Sequence, residues 1–358
     1  MPYFHLFQQE LNSIDLKIAK DIQRRLEAWS ENDMITAVVL QGEGGCYCGG
    51  VDLDWLSAHR EHTADLYAAV GDLYSSISKY PKPIVSMING DVSGSGLGLA
   101  NTPFRVVADS SRFSVPEPSF GLVPDGPVLR MLTKADKTKN QPLAAFLCLT
   151  GQPISALEMV DLGLATHVVE ATSVELIIRH LSSISYIPQG ELHDVISETL
   201  AIFCDASTDP LMAQRAWETV KEPERNDSFD DTEKTCFPWS FEEQELLQQS
   251  FSSEDVTETW TLLEEKASVS KWAEEALNGM RSNSPIGLLA TRRLLSRVAS
   301  MSEDDAAALA QQVAVRLASG PGFSLIAENA SRGIEAPLTT LADLEAVKEA
   351  ELETLFAP

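Results

Sequence analysis

The sequence predicts an α/β core followed by a C-terminal helical lobe, and two observations carry this prediction. Up to about residue 170, short apolar runs typical of strands alternate with amphipathic helical patterns. From about residue 172 the pattern changes to long helical periodicity alone. We therefore predict an α/β domain at residues 1–185 and a helical lobe at residues 186–358.

The individual elements follow from the same patterns. Helical spacing of apolar residues covers 11–29 and 64–78, and prolines at 81 and 83 end the second helix. Strand patterns lie at 35–40, 84–88, 104–108 and 112–115. In the lobe, helical patterns occupy 174–181, 192–203, 241–247, 272–280 and 286–298. A charged, proline-containing segment near 221–235 predicts an acidic surface insert within the lobe.

Composition excludes several classes of function. The chain has 27 Lys and Arg against 53 Asp and Glu, a formal net charge of −26, so direct generic nucleic-acid binding is not expected. Five cysteines at scattered spacing predict neither a disulfide framework nor a metal site. The apolar runs are too short to span a bilayer, and no targeting leader is visible, so we expect no membrane association.

Two glycine-rich turns, at 48–52 and 89–98, each follow a strand pattern. Glycine lets a backbone approach a ligand closely. Two N–H groups from different loops have the geometry that stabilises the negative oxygen of an intermediate formed from a thioester. Ordinary turn chemistry is the interpretation that the glycines alone favour, because a single Gly-x-Gly is a weak signal.

Two carboxylates, Glu117 and Asp125, lie next to prolines in an otherwise apolar stretch. Burial among apolar side chains would raise their pKa values towards the range useful to a general acid or base. Two solvent-exposed turn residues are the alternative interpretation, and the pattern alone leaves both open.

The order of these segments resembles the crotonase (enoyl-CoA hydratase/isomerase) superfamily. The segments that carry the resemblance are 47–53, 83–90, 94–99, 104–109, 113–117, 121–125, 149–156 and 163–169. Each is weak alone, but the ordered series is specific. The likeness continues into the helical lobe at 236–237, 272–273 and 284–285, so it covers nearly the whole chain except the acidic insert and the very end. The chain is most similar to the 3-hydroxyisobutyryl-CoA hydrolases, as a divergent member, because Gly98 stands where hydratases place a catalytic Glu.

The resemblance implies a ββα spiral core, with the helical lobe closing over the mouth of the active site. It implies oxyanion-binding N–H groups from Val51 and Ser95, in a substrate-binding set completed by Gly94 and Gly98. Glu117 would act at the thioester carbonyl, and Asp125 would hold the substrate hydroxyl and assist water. The implied reaction is hydrolysis of a short branched 3-hydroxyacyl-CoA in valine catabolism, in the mitochondrial matrix. It needs no metal and no cofactor beyond the coenzyme A of the substrate.

Three departures from the hydrolase pattern favour a second interpretation. Ser95 replaces a glycine, Val70 replaces a Glu, and Gly126-Pro127-Val128 replaces the glycines after Asp125. These changes suit a catalytically inactive, hydrolase-like subunit of the mitochondrial ribosomal small subunit. The partners expected are therefore an acyl-CoA, and either a second copy of the chain or mitoribosomal proteins.

The remaining candidates are predicted from residue type alone. Basic residues that could meet the coenzyme A phosphates are Arg60, Lys82, Lys134, Lys137, Lys139, Arg292 and Arg293. We interpret His167 as a structural histidine on an apolar strand and Cys48 as a small buried thiol.

Overall fold

The strands of the first half form two sheets, and from the second strand to the seventh they alternate between the sheets. The computed structural model describes residues 3–6, 10–134, 141–183, 190–204, 239–331 and 338–357, so the predicted insert at 221–235 lies outside the described residues. The strands are β1 (Tyr3–Leu6), β2 (Val38–Gly42), β3 (Cys46–Cys48), β4 (Ile84–Ile88), β5 (Asp91–Ser93), β6 (Phe104–Ala108), β7 (Arg112–Ser114), β8 (Ile154–Ser155) and β9 (His167–Val169). The larger sheet has the order β1-β2-β4-β6-β9, and the smaller has the order β3-β5-β7-β8.

The alternation of strands makes the core a spiral. Each of β2, β4 and β6 in the larger sheet is followed by a strand of the smaller sheet, and α-helices separate the first two of these pairs. The pairings are parallel except for the antiparallel pair β7 and β8. The predicted fold class, a ββα spiral core with a C-terminal helical lobe, is confirmed.

Eight helices belong to the described first part of the chain and eight to the described lobe after residue 238. The first set is α1 (Leu16–Ser30), α2 (Leu53–Ala58), α3 (Thr63–Ser78), α4 (Gly126–Lys134), α5 (Gln141–Thr150), α6 (Ala156–Asp161), α7 (Val174–Ser183) and α8 (Leu192–Cys204). The second set is α9 (Phe241–Phe251), α10 (Val256–Lys266), α11 (Lys271–Arg281), α12 (Pro285–Val298), α13 (Glu303–Ser319), α14 (Pro321–Ser331), α15 (Leu341–Ala346) and α16 (Glu349–Phe356). Of the described helices, none combines the length and apolarity that crossing a membrane requires.

The first helix begins later than its apolar pattern predicts. The Asp15 carboxylate accepts a hydrogen bond from the Ile18 N–H at 2.7 Å and so caps the helix at Leu16. The preceding Asn12 has a left-handed backbone with φ +52°, and its side chain donates to the Cys46 carbonyl at 2.7 Å. The residues before Asp15 therefore brace the first glycine-rich turn instead of extending the helix.

The larger sheet is buried on both faces. On β2, Val39 packs in a cluster with α7 and α8, whereas Val38 and Leu40 belong to the main core. This alternation follows from the two-residue period of a strand, and it explains why these strands are apolar throughout.

The main core continues from the sheets into the lobe. Phe146 of α5 stacks on Trp272 of α11, with ring centroids 5.4 Å apart, and Trp260 of α10 is fully buried in the same cluster. One apolar core thus joins both parts, and the boundary at 185/186 stays a prediction.

Arg60 fastens the core to the lobe. Its guanidinium donates to the Ser319 carbonyl at 2.7 Å and the Gly320 carbonyl at 3.0 Å, at the C-terminal end of α13. These carbonyls have no partner within the helix, so a cation there both satisfies them and opposes the helix dipole.

We expect Arg60→Ala to lower the free energy of unfolding by about 2 kcal/mol, because it leaves these carbonyls without their charged donor. Urea unfolding with an unchanged m value measures the effect. The matched control is Arg24→Ala, which removes an exposed ion pair with Asp21 and should change the free energy by less than about 0.5 kcal/mol. Equal effects of the two substitutions would contradict the role of Arg60.

Candidate active site

Ser95 lies where the two glycine-rich turns meet. Its N–H donates to Oε1 of Glu117 at 2.8 Å, and its Oγ accepts the N–H of Val51 at 2.9 Å. Its carbonyl accepts a hydrogen bond from the Tyr74 hydroxyl. The two predicted oxyanion amides are therefore neighbours, and in this structure both are already bonded to protein atoms.

The local backbone explains how Glu117 reaches the Ser95 amide. Ser95 is the second residue of a 3-10 helix, Gly94–Ala100, whose first N–H groups have no partner within the helix. Gly94 has φ +42°, and a Cβ built there would lie 1.7 Å from Oε1 of Glu117. Only glycine at this position leaves room for the carboxylate.

Glu117 is a carboxyl group in a nearly dry environment. It begins the 3-10 helix Glu117–Phe120 that follows β7. Burial raises its pKa to about 7, although the hydrogen bond from Ser95 opposes the shift. Oε2 is fully buried and bonds to no described residue. The second oxygen is thus available to a ligand.

Asp125 is held at the start of α4. Its Oδ1 accepts the N–H of Val128 at 3.1 Å, as a helix cap, while Oδ2 is buried without a bond to any described residue. Burial raises its pKa to about 8, and the nearby charge of Glu117 adds to the shift. The structure supports the buried-carboxylate interpretation for both residues, and their catalytic roles stay predictions.

The segment after Asp125 is fixed by the lobe. A Cβ on Gly126 would lie 2.3 Å from Cα of Ala307, so α4 and α13 are in backbone contact at this point. The altered sequence after Asp125 therefore leaves the carboxyl group facing the site.

Two adjoining cavities meet at these groups. The smaller, of about 50 Å³, is lined by Ser95, Glu117 and Phe120 among others. The larger, of about 500 Å³, runs between α3 and α13 and is lined by Val70, Gly71 and Gln311 among others. Val51, Tyr67 and Asp125 line both. The candidate site is the junction of the two cavities.

Tyr74 occupies the space in front of Gly98. A Cβ on Gly98 would lie 2.6 Å from the Tyr74 ring, so no larger side chain fits at that position. Tyr67, Val70 and Tyr74 recur at helical spacing along α3, and all three line the larger cavity. The sequence pattern predicts Tyr67 and Tyr74 only as part of an apolar helix face. Their phenol hydroxyls, on the same face as Val70, are the signal in the sequence that could have indicated a role in the site.

The predicted phosphate-binding cations are largely committed to protein partners. Lys82 donates to the carbonyls of Trp29 and Asn32, and Arg292 donates to the Ser253 carbonyl. Arg60 binds the end of α13, and Arg293 pairs with two glutamates of α16. The side chains of Lys134, Lys137 and Lys139 lie outside the described residues.

The other candidates have structural surroundings. Burial raises the pKa of the Cys48 thiol to about 12, so it stays protonated. His167 bonds to the Thr166 hydroxyl at 2.8 Å, and burial lowers its pKa. Within the described parts of the chain, no three His, Cys, Asp or Glu side chains are grouped to hold a metal ion.

Known proteins resemble this chain in fold and in part of its sequence. The crystal structure of a carnitinyl-CoA dehydratase from Mycobacterium thermoresistibile superposes with a TM-score of 0.76 at 22% identity, covering 99% of this chain and 93% of that one. The mitochondrial 3-hydroxyisobutyryl-CoA hydrolase of Mus musculus is 30% identical over 173 residues, 47% of this chain and 44% of that protein. The small ribosomal subunit protein mS47 of Arabidopsis thaliana is 30% identical over 163 residues, 44% of this chain and 39% of that protein.

These matches to curated relatives span less than half of each relative's length. The family described as enoyl-CoA hydratase/isomerase matches residues 7–356, nearly the whole chain. The resemblance to the crotonase superfamily is thereby confirmed, and the chain belongs to the enoyl-CoA hydratase/isomerase family.

Proposed function

We propose that the protein hydrolyses the thioester of a short branched 3-hydroxyacyl-CoA. The observation that carries this proposal is the pair of buried carboxyl groups, Glu117 and Asp125, lining one cavity with Val51 and Ser95. Perturbed pKa values concentrated in a cleft are typical of catalytic sites. The similarity to a mitochondrial 3-hydroxyisobutyryl-CoA hydrolase supports the same substrate and a mitochondrial location. Our proposal extends this to a role in valine catabolism in the mitochondrial matrix.

The geometry suggests how the reaction would proceed. A substrate carbonyl oxygen takes the N–H groups of Val51 and Ser95, after the Ser95 hydroxyl turns away and Glu117 releases its bond. Water attacks the carbonyl carbon, and its proton passes to the Glu117 carboxylate. The two amides stabilise the tetrahedral oxyanion. The C–S bond then breaks, and the proton goes to the departing sulfur, which yields a carboxylic acid and free coenzyme A.

The two carboxyl groups would have different protonation states near neutral pH. Burial raises the pKa of both carboxyl groups, to about 7 for Glu117 and to about 8 for Asp125. The charge of one opposes ionisation of the other, so the pair holds about one proton in this range. Because the Glu117 carboxylate bonds to the Ser95 amide and so lies beside the position of the thioester carbonyl, we assign Glu117 as the base and Asp125 as the protonated group that binds the substrate hydroxyl.

A second candidate function is a non-catalytic subunit of the mitochondrial ribosomal small subunit. The observation that favours it is that both candidate oxyanion amides are already bonded within the protein. The Val51 N–H donates to Oγ of Ser95, and the Ser95 N–H donates to the Glu117 carboxylate. The similarity to mS47 supports it. The net charge of −26 suits docking to basic proteins better than to RNA.

We expect Glu117→Gln to reduce thioester hydrolysis at least ~100-fold, because the amide cannot accept a proton from water. Release of free thiol from 3-hydroxyisobutyryl-CoA by the purified chain is the measurement. Glu175→Gln, which changes an exposed glutamate paired with Arg179, is the matched control and should leave the rate unchanged. Wild-type activity in Glu117→Gln would remove the carboxylate from the mechanism.

The pH profile should have two limbs. We expect kcat/KM to rise with pH through about 7, because Glu117 acts as a base only when ionised. It should fall above about 8, as Asp125 loses the proton it donates. Asp125→Asn keeps a donor that does not titrate, so the falling limb should disappear. A falling limb that persists in Asp125→Asn would contradict the assignment.

Ser95→Gly separates the two candidate functions. Removing the hydroxyl frees the Val51 amide, so we expect KM for the thioester to fall about fivefold, the worth of one hydrogen bond. Ser95→Ala is the control. It also removes the hydroxyl but keeps a Cβ, so it shows whether a lower KM comes from loss of the hydroxyl or from the change to glycine. If neither variant gains affinity, if wild type and both variants release no thiol, and if the native protein sediments with a large ribonucleoprotein, the second function is the correct one.

A further inference from the structure

We propose that Tyr67 is the specificity-determining residue that selects a substrate with a hydroxyl on carbon 3 of the acyl group. The inference rests on the proposed hydrolase function and deepens it, because it assigns the recognition of the hydroxyl to a side chain of α3.

Tyr67 stands at the junction of the two cavities. It lines both the smaller and the larger cavity, as do Val51 and Asp125. The residue is only 8% exposed and packs in the main core. A ligand whose carbonyl oxygen meets the Val51 amide therefore passes beside this ring.

The Tyr67 hydroxyl is unused by the described residues of the protein. It forms no hydrogen bond to any of them, whereas the Tyr74 hydroxyl, two turns further along α3, donates to the Ser95 carbonyl. This hydroxyl is not one of the fully buried unpaired atoms of the described residues, so it is reached from the cavities that Tyr67 lines. A ligand group at the junction would supply the missing partner.

The surroundings of Tyr67 keep its hydroxyl protonated. Burial, together with the charges of Glu117 and Asp125, raises the pKa of the phenol, so it stays protonated at neutral pH. The hydroxyl can therefore both donate and accept a hydrogen bond.

Tyr67 and Asp125 together match the needs of a hydroxyl group. Because Oδ1 of Asp125 accepts the Val128 N–H, a proton on this carboxyl group resides on Oδ2, which is buried and bonds to no described residue. A substrate hydroxyl can accept from Oδ2 and complete its second bond with the Tyr67 hydroxyl. A methyl group at the same place would leave both protein groups unpaired.

Tyr74 lies beside the Asp125 carboxyl group as well, but neither it nor Val70 has a hydroxyl proton left for a ligand. Val70, one turn beyond Tyr67, is apolar, and the Tyr74 hydroxyl is bound to Ser95. Tyr67 is thus a polar group that α3 presents near Asp125 with its hydroxyl proton still available, in place of the carboxylate that the hydrolase pattern has at position 70.

The test compares two thioesters that differ only in the hydroxyl, 3-hydroxyisobutyryl-CoA and isobutyryl-CoA. In Tyr67→Phe, which keeps the ring, we expect the ratio of their kcat/KM values to fall about fivefold, through loss on the hydroxylated substrate alone. Tyr80→Phe removes a hydroxyl that donates to the Leu26 carbonyl, away from both cavities, and should leave the ratio unchanged. A merely structural role of Tyr67 would lower both values equally.

An unchanged ratio in Tyr67→Phe, with an active wild type, would overturn the inference and leave the proposed function standing. If the wild type releases no thiol from either compound, the proposed hydrolysis is wrong. In that case calorimetric dissociation constants for the same two thioesters decide the inference. A preference for the hydroxylated compound that Tyr67→Phe abolishes supports it, and a preference that is absent or unaffected overturns it.

Discussion

The candidate site depends on the bonding of one residue, Ser95. Its amide, hydroxyl and carbonyl join three other segments through Glu117, Val51 and Tyr74. Each bond satisfies a buried polar group that would otherwise destabilise the fold by about 1–3 kcal/mol. A ligand oxygen that binds here must replace hydrogen bonds that the protein already makes. Its net affinity is therefore the difference between the hydrogen bonds of the ligand and the internal hydrogen bonds that it replaces, which are of similar strength.

The fold and the site were predictable to different degrees. The strands Ile84–Ile88 and Phe104–Ala108 match their predicted ranges because a short apolar run between turns is a local signal. The structure repeats a unit of two strands, one in each sheet, as β2 and β3, β4 and β5, and β6 and β7. The sequence shows no corresponding repeat, because the units share a backbone path and not a residue pattern. The replacement of a glycine by Ser95 is visible in the sequence, but the hydrogen bond from the Val51 N–H to its hydroxyl joins residues 44 positions apart and has no local signature.

The lobe is part of the site as well as its cover. Helix α13 supplies one wall of the larger cavity, its backbone touches Gly126 beside Asp125, and its end is bound by Arg60. Glu303 and Asp304 stand at that wall with Lys79, so the wall carries an excess of negative charge. An acyl group suits this cavity better than the phosphates of coenzyme A would.

The contact between Tyr74 and Gly98 limits how this protein can change over evolutionary time. A glutamate at position 98 would place its side chain in the phenol ring of Tyr74, whereas a smaller residue at position 74 would lose the hydrogen bond to the Ser95 carbonyl. Either step alone passes through a damaged intermediate. Evolution can therefore change position 98 only together with position 74, by two coordinated mutations.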